Sequence, residues 1–415
     1  MKILICGADG FLGSHFAAAL TNRGHMVVRG VRTPRLPGDL AIDYRKDAAA
    51  ETWRLRLSGV DAVVNAIGVL SEKLPGDFEL IHHRAPAALF EACRDAGIHR
   101  VVQISALGAA PTPYLTTKHA ADESLLRLLP TAVVVRPGLV FGADGASTRF
   151  FLALASLPLQ AHPGGAGDVQ PVHVDDVVAA VALLLEGATV PNGVLELPGP
   201  QRLGYAEWMA SYRQGLGFRP AWVIPIPEWL MTVSARLAGL LPGSLLSRDT
   251  WTMLRAGNAG DPAPAQALLG RPLVAPQDFI PPQEQGSLRR QALAFWRKPL
   301  LQFALASIWL VSAILSATVF PVDESLALLA PFRLSESSAL LALCGAIALD
   351  LLMGVLTIVR PGGRLWLAQV GVIAAYSGLV AWRFPVFMLH PFGPMLKNLA
   401  VLILLVQLWA EDQAQ

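Results

Sequence analysis

The stretch MKILICGADGFLG, residues 1–13, decides the expected fold of this 415-residue chain. Its first part, Lys2–Cys6, is a short apolar run that predicts a buried strand, and the apolar periodicity of Phe11–Arg23 predicts a helix after it. The turn between them contains three glycines, Gly7, Gly10 and Gly13. In a strand–turn–helix context, such a turn lets the backbone approach a diphosphate, which the amides at the helix N-terminus bind. We therefore expect a dinucleotide site here.

Beyond this turn, strand-like runs alternate with helical stretches, which predicts an α/β domain with a doubly wound parallel sheet. The further predicted strands are Met26–Val31, Leu40–Tyr44, Val60–Gly68, His99–Leu107, Thr131–Val135 and Gly193–Gly199, and a helix is predicted over Phe78–Ala96. Ligands of such sheets bind outside the carboxyl ends of the strands. Residues at or near those ends are expected to share one site: Gly13, Arg32, Gly68, Ser105 and Pro137.

The end of the second strand indicates which nicotinamide cofactor is used. An NAD site carries Asp or Glu at this position, on the adenosine ribose hydroxyls. Here Arg32 follows Val31, with Arg29 and Arg35 nearby, and a guanidinium suits a 2′-phosphate. The sequence favours NADP(H) over NAD(H), with a solvated arginine loop as the alternative. The predicted cofactor-binding residues are Gly7, Asp9, Gly10, Phe11, Leu12, Gly13, Arg32, Asp43, Ala66, Ile67, Gly68, Lys118, Pro137 and Gly138.

A tyrosine and a lysine four residues apart open the next predicted helix. Residues i and i+4 lie on one helix face, so Tyr114 and Lys118 are expected to point the same way. A neighbouring ammonium lowers the pKa of a phenol toward the range of an acid–base catalyst, and Ser105 offers a hydroxyl to the substrate oxygen. We predict Tyr114, Lys118 and Ser105 as catalytic residues; the alternative is an exposed helix turn with a solvated lysine.

Composition separates the chain into two parts. The chain is 53% hydrophobic and only 15% charged, which is too apolar for a wholly soluble protein, and the excess lies in residues 300–410.

A net charge of +2 without a basic–aromatic patch argues against nucleic-acid binding. The three cysteines and nine histidines lack metal-ligand spacing, so no metal site is expected. Because residues 1–6 already form a strand rather than a signal peptide, the nucleotide domain is expected to stay in the cytoplasm.

The C-terminal part contains four predicted membrane spans, Leu300–Phe320, Ser338–Val359, Leu365–Trp382 and Met395–Ala410. Six arginines and lysines flank the spans on one side and three on the other, which predicts that the N-terminal domain and the C-terminus are cytoplasmic. Asp350 interrupts the second span. A carboxyl in hydrocarbon is costly, so Asp350 is expected to be either functional or part of a helix-packing hydrogen bond.

The region from Phe150 to Phe279 shows fewer patterns. Two stretches, Trp222–Pro227 and Pro242–Leu246, suggest loops that wall a pocket. Three tryptophans in this region are candidates for the pocket lining, although such aromatics are more often core residues, and no ligand role is assigned to them: Trp222, Trp229 and Trp251.

Several of these motifs resemble the short-chain dehydrogenase/reductase superfamily in its extended or atypical branch, among NAD(P)-binding proteins related to a complex I accessory subunit and to NmrA-type regulators. The matching residues, within about 1–280, are Gly7-x-x-Gly10-x-x-Gly13, Asn65-Ala66-Ile67-Gly68, Ser105, Tyr114-x-x-x-Lys118, Arg136-Pro137-Gly138 and Pro171-Val172-His173-Val174-Asp175-Asp176. The resemblance implies Tyr114 as acid/base, Lys118 on the nicotinamide ribose and Ser105 orienting the substrate. This chain departs from the family in having Cys6 where Thr is common and only nine positions from Ser105 to Tyr114. Several relatives in this branch keep the nucleotide without catalysis.

Residues 300–410 resemble the DoxX-like family of small four-helix membrane domains. The similarity lies in Ser307-Ile-Trp-Leu-Val-Ser312 and in His390-Pro-Phe-Gly-Pro-Met-Leu-Lys-Asn398. Relatives are associated with quinone-linked oxidation, which implies a membrane electron carrier here.

The sequence thus predicts an NAD(P)-binding domain over 1–280 with a substrate-side region at about 150–280, a linker over 281–299, and a transmembrane domain over 300–410. We expect an integral protein of the cytoplasmic membrane, an NADP(H)-dependent oxidoreductase that transfers hydride with tyrosine acid/base catalysis. Its expected substrate is an apolar or membrane-borne carbonyl or quinone. The alternatives left open are nucleotide-sugar epimerase/dehydratase-type activity and a non-catalytic NAD(P)-binding scaffold or redox sensor. Expected partners are the bilayer, a quinone or lipid-like substrate, and a membrane protein or a second copy of the chain.

Overall fold

The computed structural model describes residues 1–239, 244–388 and 394–413. The chain forms two compact units, Met1–Leu293 and Ala294–Gln415. The division falls inside the segment predicted as a linker. That segment is helical here, because one long helix runs from Pro282 to Thr318.

The first unit is built on a seven-stranded sheet in which every neighbouring pair is parallel. Its strands are β1 (Lys2–Cys6), β2 (Met26–Val31), β3 (Leu40–Ala41), β4 (Ala62–Asn65), β5 (Arg100–Ile104), β6 (Val133–Pro137) and β10 (Val194–Leu197). Their spatial order is β10-β6-β5-β4-β1-β2-β3. The order reverses between β1 and β4, and this reversal opens a crevice at the carboxyl ends of the strands. The predicted doubly wound fold is confirmed.

Alternate residues of β1 show how the sheet is covered on both faces. Ile3 and Ile5 pack into one hydrophobic cluster, whereas Leu4 and Cys6 pack into another on the opposite face. The helices of the sheet layers are α1 (Phe11–Asn22), α2 (Ala85–Asp95), α3 (Pro113–Leu128), α5 (Val174–Leu185) and α9 (Ala263–Leu269). Because β1 is apolar on both sides, it is an interior strand buried between the two helical layers.

Four predicted strands are shorter in the structure than the sequence predicts, and two of them end early for local reasons. The strand predicted over Leu40–Tyr44 ends at Ala41, because the Asp43 N–H donates to Asp47 Oδ2 at 2.7 Å and starts a turn. The strand predicted over Val60–Gly68 ends at Asn65, whose Oδ1 accepts the Ile67 N–H at 3.3 Å. Both turns place polar side chains at the edge of the sheet.

The helix predicted over Phe78–Ala96 begins differently. Its first part, Glu79–Arg84, is a π-helix, which passes directly into α2. π-Helical turns inside helices are frequent at functional sites. Here the π turn carries His82, which is buried.

The rest of the first unit forms a smaller region beside the sheet. It contains α4 (Ala146–Ser156), α6 (Tyr205–Gly215), α7 (Glu228–Ala238), α8 (Arg248–Ala256) and two parallel pairs, β7 (Val140–Phe141) with β9 (Val172–His173), and β8 (Leu159–Pro163) with β11 (Trp222–Ile226). The stretch Trp222–Pro227, predicted as a loop, is therefore largely strand. Of Pro242–Leu246, residues 242 and 243 lie outside the described residues. Trp251 is buried, but Trp222 and Trp229 are 80% and 67% exposed, so these two are not core residues.

The second unit is helical. Its helices are α10 (Pro282–Thr318, which begins in the first unit), α11 (Val322–Leu329), α12 (Glu336–Val359), α13 (Gly363–Arg383) and α14 (Pro394–Gln413). Three of the helices described, α10, α12 and α13, are long and apolar enough to cross a membrane. The predicted fourth span corresponds to α14. Residues 390–393 of the His390–Asn398 motif lie outside the described residues.

Polar side chains connect helices inside this apolar unit. The Trp309 indole donates to Gln369 Oε1 at 2.9 Å, and the Gln369 amide donates to Thr357 Oγ1 at 2.8 Å. The Ser312 hydroxyl donates to Asp350 Oδ2 at 3.0 Å. Asp350 therefore makes an interhelical hydrogen bond, as one of its two predicted roles requires.

Candidate active site

A cavity of about 210 Å³ lies at the carboxyl ends of β1, β2 and β4. It is lined by Gly7, Asp9, Gly10, Gly30, Arg32, Ile42, Asp43, Tyr44, Arg45, Ala66, Ile67, Gly68, Val69 and Ile81. Eight of the predicted cofactor-binding residues are in this lining: Gly7, Asp9, Gly10, Arg32, Asp43, Ala66, Ile67 and Gly68. The structure therefore brings most of the predicted cofactor residues into one groove.

The backbone of the glycine turn fits a dinucleotide cradle. Gly7 has φ = +84°, which other L residues rarely adopt. A Cβ atom at Gly13 would lie 2.0 Å from the Gly7 carbonyl oxygen, so only glycine fits at this close approach. The first N–H groups of α1 have no acceptor within the helix and carry its positive dipole end. These features suit a diphosphate at the N-terminus of α1.

Among the arginines near the end of β2, Arg32 is the one that lines the groove. Arg29 is paired with Asp39 at 3.4 Å, and the Asp39 carboxylate also accepts the backbone N–H of Arg35 at 2.9 Å. Arg32 is exposed, and within the described ranges it has no ion-pair partner. Its guanidinium is therefore available to an anion.

A chain of buried hydrogen bonds shapes the floor of the groove. The Tyr44 hydroxyl donates to Asn65 Oδ1 at 2.7 Å, and the Asn65 amide donates to Gln103 Oε1 at 2.7 Å. Because Asn65 Oδ1 also accepts the Ile67 N–H, this network holds the backbone after β4 against the groove. Asp43, at the groove edge, accepts the Arg45 N–H at 3.2 Å.

A two-point ion pair closes one side of the groove. Arg45 donates to both carboxylate oxygens of Asp77, at 3.0 and 2.7 Å. Asp77 Oδ2 also accepts the backbone N–H groups of Lys73 and Leu74. Hydrogen bonds from the Arg45 guanidinium hold the pKa of Asp77 well below its usual range. The segment 69–78 is thereby tied to the turn after β3.

Lys118 lies against the end of β4 and of β5. It is 5% exposed, and its Nζ donates to the Ile104 carbonyl oxygen at 3.1 Å. A Cβ atom at Gly68 would lie 3.3 Å from this Nζ, which places the amine directly beside the groove. Burial lowers the pKa of Lys118 to about 8. The amine is still largely protonated at pH 7 and suits a hydrogen bond to a cofactor hydroxyl.

Tyr114 shares the face of α3 with Lys118, as the spacing predicts. The Lys118 Nζ lies 5.8 Å from the centroid of the Tyr114 ring. The expectation of a lowered phenol pKa is wrong, because burial raises the pKa of Tyr114 to about 12. The ammonium points to the Ile104 carbonyl. Tyr114 is therefore a protonated donor at neutral pH.

His82 supports the tyrosine, and the sequence analysis missed it. Its ring meets the Tyr114 ring edge-on at 5.3 Å and stacks on Phe78 at 5.3 Å. His82 Nε2 accepts the Val69 N–H at 3.0 Å, so the ring proton is assigned to Nδ1, 3.3 Å from Thr117 Oγ1. Burial lowers the pKa of His82 to about 3, so the ring is neutral. The sequence feature that could have revealed His82 is its position on the apolar face of a predicted helix.

Ser105 lies in a different network from the one predicted. Its hydroxyl donates to Asp122 Oδ2 at 2.8 Å, and that carboxylate also accepts from Arg136 at 2.9 Å. The Ser105 side chain is buried, and its proton is directed to Asp122 rather than to a substrate. Because the Ser105 hydroxyl proton is used in this hydrogen bond, Ser105 can only accept a hydrogen bond from any further group.

Six predicted cofactor residues lie outside the groove lining: Lys118, which is described above, and five others. The five others are Phe11, Leu12, Gly13, Pro137 and Gly138. The Phe11 ring packs where a Cβ atom at Gly142 would lie, 2.6 Å away, and a Cβ atom at Gly138 would lie 2.7 Å from the Gln170 carbonyl oxygen. The Phe11 ring is therefore occupied by packing, and Phe11 and Gly13 can offer only backbone groups to a cofactor. Gly138 is packed against a neighbouring loop.

A second, apolar cavity of about 160 Å³ adjoins α3, the helix that carries Tyr114 and Lys118. Its walls include Leu107, Leu115, Phe150, Phe151, Trp208 and Leu254. Leu115 follows Tyr114 directly in α3, and Leu107 lies in the loop after β5. The site therefore combines a polar cofactor groove with an apolar space.

Comparison with known proteins agrees with this geometry. Residues 3–195 match the NAD dependent epimerase/dehydratase family, and residues 306–406 match the DoxX-like family. The chain joins an epimerase/dehydratase-type Rossmann domain to a DoxX-like membrane domain. It is thus an NAD(P)-dependent enzyme of the oxidoreductase type.

Two curated relatives and one solved structure illustrate the similarity. The rat mitochondrial NADH dehydrogenase [ubiquinone] 1 alpha subcomplex subunit 9 is 28% identical over 57% of this chain and 67% of the relative. The ceramide reductase of Caulobacter vibrioides is 26% identical over 61% of this chain and 78% of the relative. The structure of MoeE5 with UDP-glucose and NAD has a TM-score of 0.52 and 22% identity, covering 71% of this chain and all of that chain. The structural match supports the fold of the Rossmann domain.

Proposed function

We propose that this protein is a membrane-bound NADP(H)-dependent reductase that acts on the carbonyl or quinone group of an apolar, membrane-borne substrate. The observation that carries the proposal is the meeting of three features at the Gly68 edge of the sheet. The cofactor groove reaches Gly68 beside the buried Lys118, Tyr114 shares the helix face of Lys118, and Leu115, next to Tyr114, lines the apolar cavity. When bound, the cofactor supplies the hydride.

In this proposal Tyr114 supplies the proton. As hydride reaches the carbonyl carbon, the phenol O–H bond breaks and its proton goes to the substrate oxygen, leaving a phenolate. The raised pKa of Tyr114 keeps the phenol protonated at neutral pH, so that it can donate its proton. The Lys118 ammonium stabilises the phenolate and donates to the cofactor ribose, while His82 holds the ring in place.

Arg32 is proposed to select NADP(H). It is exposed at the groove edge without a carboxylate partner among the described residues, whereas Arg29 is occupied by Asp39. A 2′-phosphate would receive charge-assisted hydrogen bonds from such a guanidinium. No acidic side chain directly follows β2 to accept from ribose hydroxyls, because residues 32–35 are Arg-Thr-Pro-Arg.

The proposed substrate class follows from the second cavity. Its walls are mostly aliphatic and aromatic, which suits a hydrocarbon group and disfavours a sugar nucleotide. A ceramide reductase is among the relatives, and a DoxX-like membrane domain follows in the same chain. These facts support a lipid-like or quinone substrate for this chain.

The membrane arrangement is also part of the proposal. We infer that α14 crosses the bilayer with α10, α12 and α13, and that the N-terminal domain and C-terminus are cytoplasmic. The excess of arginine and lysine at one set of helix ends supports this orientation. Association with a membrane protein or with a second copy of the chain remains a prediction.

Turnover of the full-length protein in nanodiscs tests the assignment. The assay follows NADPH oxidation with a panel of long-chain ketones and quinones. Tyr114→Phe is expected to lower kcat by at least about 100-fold while NADPH affinity changes less than about threefold. Thr116→Ala, at an exposed position of the same helix, is the matched control and should keep wild-type activity. Equal turnover by wild type and Tyr114→Phe would refute the role of Tyr114.

A further inference from the structure

An apolar surface covers β11 and α7 of the first unit. Its exposed side chains are Trp222, Val223, Ile224, Trp229, Leu230, Val233 and Leu237. We call this surface the β11–α7 face. Leu159 of β8, which pairs with Trp222 in register, extends it and is 53% exposed. Soluble monomers rarely expose a continuous apolar area of this kind without a binding role.

Helix α7 has its apolar stripe on the outside. Trp229, Val233 and Leu237 follow one another at i, i+4 and i+8, so they lie on one face, and all three are exposed. Only Ala235 of this helix is buried. Arg236 lies one helical turn from Val233 on the edge of the stripe and is exposed. An amphipathic helix of this composition is typical of a membrane interface.

Two cavities lead inward from the β11–α7 face. The outer one, of about 310 Å³, is lined by Leu159 and Met231 at the face. The inner one, of about 160 Å³, is lined by Leu107 and Leu115 near the catalytic helix. The two have wall residues in common: Phe150, Phe151, Leu245, Thr250 and Leu254. The two cavities are therefore adjacent and share one wall, and we call the pair the apolar route from the face toward α3.

We propose that the β11–α7 face lies on the bilayer surface and that the apolar route behind it receives the hydrocarbon chain of a membrane lipid. The occupant is assigned to lipid rather than protein because the same chain continues into membrane-spanning helices. Exposed tryptophans beside arginines are the side chains that bilayer interfaces favour. Glu228, the acidic residue at the start of α7, is paired with Arg255 at 2.7 Å, so it does not oppose an anionic surface. The substrate part rests on the proposed function, whereas the docking part does not.

Fluorescence quenching in proteoliposomes tests the docking. The full chain with Cys344→Ser retains only the buried Cys6 and Cys93, so Val233→Cys can be labelled with an environment-sensitive fluorophore. Leu55→Cys, at an 89% exposed leucine of the same unit, is the matched control. Doxyl-labelled phospholipids are expected to quench the label at 233 at least about threefold more than the label at 55. Equal quenching at the two positions would overturn the docking. A label at 233 that is shielded from water in both detergent and lipid, but is not quenched by the doxyl lipids, would also overturn it. That second result would indicate a protein partner.

Photo-crosslinking tests the route. A phosphatidylcholine with a diazirine on one acyl chain is activated in the same proteoliposomes, and adducts are mapped by mass spectrometry. Adducts are expected on Phe150, Phe151 and Met253, and on α12 and α13, which serve as the internal positive control. Leu254→Trp fills the shared wall and should abolish the cavity adducts while keeping the helix adducts and NADPH binding. Adducts on the membrane helices alone would overturn the lipid route. Neither readout requires turnover, so its outcome is distinguishable from failure of the proposed reaction.

Discussion

Lys118 is buried beside the cofactor groove, and this position has a cost in stability that can be measured. Burial lowers its pKa to about 8, so the folded state binds the proton less tightly than the unfolded chain does. Folding stability therefore rises with pH from about 8 to the ordinary lysine pKa near 10.4. A charge kept in such a place indicates a functional role rather than a packing role.

We predict that Lys118→Met raises the melting temperature of the full-length protein at pH 7 by a few degrees, on the order of 1 kcal/mol, while it abolishes turnover. Loss of the hydrogen bond to the Ile104 carbonyl offsets part of the gain. The difference from wild type should shrink as pH is raised from 7 to 10, because the wild-type amine loses its proton. Thermal melts in detergent across this range provide the measurement. A difference that grows with pH would contradict the proposed burial cost.

Arg32 offers a second test at the same scale. Arg32→Glu should weaken NADPH binding by about 10–100-fold, the loss expected for hydrogen bonds between charged groups, and leave NADH binding within about threefold. Arg35→Ala is the control, because the backbone rather than the side chain of Arg35 holds Asp39. Titration calorimetry gives both affinities. If NADPH and NADH lose affinity equally, Arg32 does not read the 2′-phosphate.

At the scale of elements, the Arg45–Asp77 pair connects two segments across the groove. Asp77 is nearly buried and accepts from Arg45, Lys73 and Leu74, so its carboxylate holds segment 69–78 in place. Asp77→Asn should speed hydrogen exchange over residues 69–78 by about tenfold and weaken cofactor binding, with Asp61→Asn as the exposed control. Because the pKa of Asp77 is held well below its usual value, the wild-type pair should persist down to about pH 4 and weaken only below it. Unchanged exchange over 69–78 would show that the pair does not hold the segment.

Features that depend on local sequence patterns could be predicted, whereas features that depend on contacts between distant segments could not. β1 and β2 were predictable because their apolar runs are bounded by glycines, and the Tyr114–Lys118 spacing follows from helix geometry alone. The Ser105–Asp122 hydrogen bond joins side chains 17 residues apart, and the raised phenol pKa depends on burial by distant segments. The exposed positions of Trp222 and Trp229 were likewise not predictable, because the residue type alone does not show whether an apolar side chain faces a protein core or the outside of the domain.

For the whole molecule, an N-terminal domain and a C-terminus on the same side of the membrane require an even number of membrane crossings. We predict that a reporter fused after Gln413 and one inserted in the 360–364 loop are both cytoplasmic, whereas one inserted after Arg333 is not. Pairs of reporters active only inside or only outside the cytoplasm give the measurement. A reporter after Gln413 on the opposite side from the 360–364 loop would show that α14 does not cross.

We propose that hydride passes from a nicotinamide cofactor to a membrane-borne acceptor beside Tyr114. This proposal is tested most directly by loading the full-length protein into liposomes of total membrane lipid and adding NADPH deuterated at C4, in each stereochemical form. Mass spectrometry of the lipid extract then follows the isotope. We expect a lipid-soluble product that gains one deuterium with the wild type and one form of the cofactor, and no deuterium with Tyr114→Phe. Bound NADPH with no deuterium in the lipid phase, or deuterium confined to water-soluble products, would contradict it.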